Sequence, residues 1–156
     1  MSSCYNGRDM KIKLHEPHHH PKASPNRFCG PGALSIILGI TAENAASRVR
    51  SKTGKRCAMG VAVYPLSQVL RDFGLETGHE HRWSSPAKNR PTFARWLRER
   101  SADDRGRAIL VITGNHYVVV QGNIVADNQQ GRIRIGKSNH RRKRVSRVVH
   151  LDVRDA

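Results

Sequence analysis

The chain has 156 residues, with 28 Lys and Arg against 12 Asp and Glu and a formal charge of +16. That length suits one domain with a buried core, and a 37% hydrophobic content gathered into runs at 33–40, 108–113 and 117–120 excludes disorder along the whole chain. No run approaches the ~20 apolar residues of a membrane helix, and no apolar stretch of the secretory type follows the first charges, so a membrane span is excluded and a cytoplasmic setting is expected.

Residues 1–25 read as a flexible basic arm. They combine Lys11, Lys13, His15 and the cluster at His18, His19 and His20 with prolines at 17, 21 and 25, without apolar periodicity. A single domain is expected over 26–156. The dense apolar run after Cys29 predicts a buried helix over 30–39, with Pro31 suited to a first turn. Thr41 predicts a cap on a second helix over 42–52 that stops before Gly54. Pro65 predicts the opening of a third, bearing Leu66, Val69, Leu70 and Phe73 and closed by Gly74. Residues 75–83 read as a strand, and Thr92 as the cap of a helix with Phe93, Trp96 and Leu97 on one face. Strands are then expected at 108–113, 117–120, 124–127, 132–135 and 145–153. Helices followed by an antiparallel sheet make the fold class α+β.

Cys29 stands where a helix opens with Gly30-Pro31-Gly32. Unpaired N–H groups and the positive end of the helix dipole favour a thiolate there, although a small buried residue is the ordinary role of a cysteine. A partner base would decide between the two, and the stretch 114–129 supplies a candidate. Two apolar runs flank Gln121-Gly122-Asn123, a hairpin signal. With Gln121 and Gly122 as the loop, His116 stands directly opposite Asp127, with Cβ atoms ~5 Å apart. With Gly122 and Asn123 as the loop, Asp127 keeps the same face and lies diagonal to His116. A three-residue loop would set Asn128 opposite His116, making Asn128 the alternative orienting residue. Either side chain can hold an imidazole in the tautomer that a Cys-His pair needs.

The segments 26–35, 114–120 and 122–127 (NRFCGPGALS, GNHYVVV and GNIVAD), in the order Cys, His, Asp, resemble the papain-like cysteine peptidase superfamily. They are most similar to its small double-glycine leader peptidases and to bacteriophage cysteine-peptidase-like proteins. The resemblance implies an N-terminal helical lobe carrying the nucleophile and a C-terminal antiparallel sheet carrying His and Asp. It also implies catalysis by Cys29, His116 and Asp127 on a peptide or protein substrate, with no cofactor and no metal. If the chain is phage-encoded, the setting becomes a host cytoplasm or a virion. The superfamily usually has a Gln a few residues before the nucleophile; the position six residues earlier is Ala23, and Asn26 is the substitute oxyanion donor.

Residues 137–147 carry six fixed cations, Lys137, Arg141, Arg142, Lys143, Arg144 and Arg147, and no acid. Such a run binds phosphate backbones without sequence preference or is a solvated loop, and no aromatic lies within it to stack bases. A second basic segment spans Arg48, Arg50, Lys52, Lys55 and Arg56. Pro17 and Pro21 break any helical ligand spacing in the His cluster, and His79 and His81 make two ligands at most. Cys4, Cys29 and Cys57 are expected as free thiols. Three readings follow: a cysteine peptidase, a weak or inactive peptidase-like fold acting as a basic nucleic-acid-binding or virion-associated protein, and a basic interaction protein for an acidic partner.

Overall fold

In a computed structural model the chain is described at residues 12–17, 29–56, 58 and 61–154. The helices come first: α1 (Cys29–Leu38), α2 (Ala42–Thr53) and α3 (Val63–Asp72). Every residue of α1 from Cys29 to Ile37 is buried, as its mostly apolar sequence requires, and the one hydroxyl, Ser35, donates to the Ile40 carbonyl at 2.7 Å. It packs against α2 and α3 on one side and the sheet on the other. Thr41 caps α2 by accepting from the Asn44 N–H at 3.0 Å, and Gly54 ends it. The third helix starts two residues before Pro65. Phe73 lies just past its end, partly exposed under the Arg48 guanidinium, instead of joining the core.

The strands β1 (Leu75–Arg82), β2 (Ile109–Thr113), β3 (His116–Gln121), β4 (Ile124–Asp127), β5 (Gly131–Arg134) and β6 (Val145–Val153) form one antiparallel sheet in the order β1-β6-β2-β3-β4-β5. Between β1 and β2 lie α4 (Phe93–Glu99), capped by Thr92, and the one-turn α5 (Ala102–Arg105).

The sheet has a core on each face. Leu110, Tyr117, Val119, Ala126, Val149 and Leu151 meet α1, α2 and α3. Their strand neighbours Ile109, Val111, Val118, Val120, Val125 and Val148 meet Phe93, Trp96 and Leu97 of α4. Alternation along each strand sends successive side chains to opposite faces. A sheet covered on both faces needs apolar residues at every position, which accounts for the unbroken run 117–120.

Gly114 and Asn115, with φ of 51° and 64°, make the two-residue turn that sets Thr113 opposite His116. Gly122 and Asn123 make the next: Gln121 pairs with Ile124 and Val119 with Ala126. This is the diagonal register, the second of the three loop placements, and not the one that sets His116 directly opposite Asp127.

Six described residues of the arm lie on the domain. Leu14 is buried, the His15 N–H donates to the Ile36 carbonyl at 2.7 Å, and Arg132 donates to the Leu14 carbonyl at 2.9 Å. Gln121 donates to the Ile12 carbonyl at 2.6 Å. Residues 12–17 thus run as a strap from the end of α1 to β5, held by backbone groups that composition does not reveal. His18, His19, His20, Ala23 and Asn26, together with Cys4 and Cys57, lie outside the described residues.

Candidate functional site

The site forms where the first turn of α1 meets the start of β3 and the end of β4. Cys29, His116 and Asp127 are 6%, 5% and 3% exposed, so all three are withdrawn from bulk water and act on one another. Asp127 Oδ2 lies 2.9 Å from His116 Nε2. The diagonal register still serves this contact, because His116 and Asp127 share strand parity with Val118, Val120 and Val125. The other ring nitrogen, Nδ1, is left for the Cys29 thiol, which hydrogen-bonds to His116 and also receives the Tyr117 backbone N–H.

The second carboxylate oxygen of Asp127 accepts from the backbone N–H groups of Gln129, at 3.1 Å, and Gln130, at 2.8 Å. A carboxylate that accepts its own downstream amides makes an Asx-type turn, so the loop after β4 fixes the side chain. A further contact came from outside the three expected residues. His140 Nε2 lies 2.5 Å from the same Oδ2, its ring stacked on His116 with centroids 4.8 Å apart and planes 24° apart.

The electrostatics follow from these contacts. Burial alone raises a carboxylic acid, but hydrogen bonds from His116, His140 and the Gln130 N–H hold Asp127 well below the carboxylate range. Burial alone lowers an imidazole, but Asp127 and Cys29 together push His116 up to about 9. Burial raises a thiol, and His116 with the Tyr117 N–H more than offsets it, leaving Cys29 below its ordinary value. The two partners shift in the senses that favour a thiolate beside an imidazolium. Burial, then the nearby thiolate charge, pushes Tyr117 up to about 12; its hydroxyl donates to the Val61 carbonyl at 2.6 Å and ties β3 to the segment before α3.

Ligand atoms of His116, Asp127 and His140 lie within 4.8 Å of one another, a donor set suited to a transition metal. Ligands ~2.1 Å from a tetrahedral zinc stand ~3.4 Å apart, whereas these nitrogens approach the shared oxygen at 2.9 and 2.5 Å. Those are hydrogen-bond separations.

Asn128 is buried beside Asp127 and packs on α1: a Cβ placed on Gly32 would stand 2.6 Å from the Asn128 Cβ. Gly32 thereby lets α1 approach the loop after β4 closely enough to bring Cys29 to His116. Its presence in the Gly-Pro-Gly opening has a packing reason as well as a local one.

The basic run divides. Lys137, Arg141, Arg142, Lys143 and Arg144 are exposed. Arg147 lies in β6, paired with Glu80 of β1, which takes it out of the expected free cation cluster. The carbonyls of Arg141 and Lys143 accept from the Ala94 and Phe93 N–H groups at 2.9 and 2.8 Å, satisfying the amides that a helix start leaves unpaired. Arg144 donates to the Arg90 carbonyl. His79 contacts His150, and His81 contacts Trp83.

No protein-family model matches the chain, and a search of curated proteins finds no match. Among solved structures it is similar to a double glycine motif protease from an AMS/PCAT transporter, determined in complex with the leader peptide. The TM-score is 0.56 at 14% identity, over 92% of this chain and 96% of that one. At that identity the likeness establishes the fold, α+β and papain-like, with helical and sheet lobes in the expected order. No helix among the described residues is long and apolar enough to cross a membrane.

Proposed function

We propose that the chain is a cysteine peptidase, a thiol-dependent acyl hydrolase acting on a peptide or protein. One observation carries the reading: a continuous hydrogen-bonded line from the thiol at the start of a buried helix, through His116, to the Asp127 carboxylate. The Cys29 thiolate attacks the substrate carbonyl carbon, and His116 gives its proton to the leaving amine, producing a thioester. Water then attacks the thioester as His116 takes its proton, and the thiolate leaves. Asp127 holds the ring and stabilises its positive charge. The Cys29 backbone N–H and the Asn26 amide are the oxyanion donors, each worth about 10²–10³ in rate by analogy with other such donors. The fold neighbour's double glycine motif and leader peptide make a peptide carrying a double glycine motif the first substrate to try.

A thiol-directed peptidase probe, mapped by mass spectrometry, should label Cys29 in the wild type and lose that label in Cys29→Ser. Equal labelling of Cys4, Cys57 and Cys29, with no preference for Cys29, would overturn the reading. A second reading rests on the exposed row Arg141, Arg142, Lys143 and Arg144, which presents cations to a polyanion; nonspecific nucleic acid is the partner it suits.

A further inference from the structure

We infer that His140 is a positioning residue of the site: it fixes Asp127 Oδ2, and through it the His116 ring, by a hydrogen bond from Nε2 and a parallel stack on the imidazole. The inference rests on the proposed Cys29, His116 and Asp127 chemistry and adds a fourth side chain to it.

His140 is 1% exposed, among the most deeply buried polar side chains described. Its contact with Oδ2 requires a proton on Nε2, because an ionised carboxylate only accepts. Nδ1 is then the lone-pair side, and it is the atom that meets no partner. A histidine kept in so costly a place with half its hydrogen-bonding capacity unused is held there by the other half.

The surroundings aim that half. Gln130 brackets the loop before His140: its side-chain carbonyl accepts from the Asn139 N–H at 2.7 Å, and its amide donates to the Lys137 carbonyl at 3.3 Å. Ser138 Oγ accepts from the His140 N–H at 3.2 Å, and the His140 carbonyl accepts from the Lys143 N–H at 2.9 Å. The residue whose own N–H binds Asp127, Gln130, is therefore also the one that ties down the His140 loop.

Asp127 consequently has both oxygens filled: Oδ1 by two backbone amides, Oδ2 by two imidazoles. A carboxylate with four donors has one side-chain setting open to it. The stacked ring closes the space into which His116 would swing away from the thiol.

The test compares His140→Gln with His140→Asn. A Gln amide nitrogen reaches roughly the place of Nε2, and an Asn amide that of Nδ1, so both variants are polar and only one donates to Oδ2. The rate of Cys29 alkylation by iodoacetamide at about pH 6, well below an ordinary thiol's pKa of about 8.5, reads the thiolate fraction without any substrate. Low-field proton NMR reads the His116 Nε2–H directly. His140→Gln should react within about threefold of wild type and keep the resonance. His140→Asn should react about tenfold slower and lose it, the scale of one charge-assisted hydrogen bond. Equal rates in the two variants, or a faster His140→Asn, overturn the inference; a faster rate would mean that His140 only competes with His116 for Asp127. Wild-type Cys29 reacting no faster than a free thiol overturns the peptidase reading itself and the inference with it.

Discussion

A thiol and an imidazole that shift each other's protonation make a prediction that neither makes alone. Cys29 is lowered and His116 is raised to about 9. Because both shifts favour the charged pair, Cys29 alkylation should rise at lower pH than that of an ordinary thiol with pKa about 8.5. In the proposed reaction hydrolysis also needs the His116 proton for the leaving amine, so it should decline as pH rises through about 9 while alkylation does not. Asp127→Asn removes the charge that raises His116 and should move the alkaline decline of hydrolysis to lower pH. The two pH profiles, measured side by side on wild type and variant, check this; an alkaline decline common to both reactions would sink it. The sequence exposes these residues because each sits on a strong local signal, a cysteine before Gly-Pro-Gly and a His and an Asp flanking a hairpin. His140 has no such signal. It is the one ring among six cations, and it reaches Asp127 only through a loop path set by Gln130, whose bonds to Lys137 and Asn139 span seven and nine positions.

Helices and strands were legible wherever a cap or an apolar period marked them, and the register of β3 and β4 was not. Gln121-Gly122 and Gly122-Asn123 are both acceptable turns, and the choice is made by groups distant in sequence. Arg100, buried at the end of α4, donates to the Leu97 carbonyl and, at 3.1 Å, to the Gly122 carbonyl. The Gly122 N–H donates to the Arg105 carbonyl at 3.0 Å, and the Asn123 carbonyl accepts from the Ile135 N–H at 2.9 Å. With the turn clamped from the end of α4, from α5 and from the residue after β5, Asp127 is delivered diagonally to His116. Arg100→Met keeps an aliphatic stem beside Trp96 and deletes both donors, leaving a carbonyl without its partner. Such a loss costs about 1–3 kcal/mol, so urea unfolding should show a drop of about that size with an unchanged slope. A loss of under about 0.5 kcal/mol, the range of a neutral surface change, would show that α5 and the residue after β5 hold the turn without Arg100.

The charge of the whole molecule looks uniform in composition and is uneven in space. Several cations are matched: Arg147 with Glu80, Arg107 with Asp103 and Asp152, Arg95 with Glu99, Lys52 with Asp72. The exposed pairs among them add little to stability, but they remove positive charge from those faces. Among the described residues no ion pair holds Arg141, Arg142, Lys143 or Arg144. These four stand on the loop whose carbonyls cap α4 and whose His140 enters the candidate site, so one segment carries its cations outward and its imidazole inward. The Arg144 side chain ties that loop to the Arg90 carbonyl, so a clean separation leaves Arg144 in place. Changing Arg141, Arg142 and Lys143 to Gln should leave the melting temperature and Cys29 alkylation within error of wild type. If the row meets phosphates, every phosphate that is no longer neutralised reduces the slope of log K against log salt by about 0.9 on duplex DNA, so nonspecific binding should weaken and its salt slope fall by about 2–3. Binding titrations at several salt concentrations measure both quantities. An unchanged slope would move the nucleic-acid reading off this loop, whereas a vanished slope with intact thiol reactivity would establish two independent surfaces on one small fold.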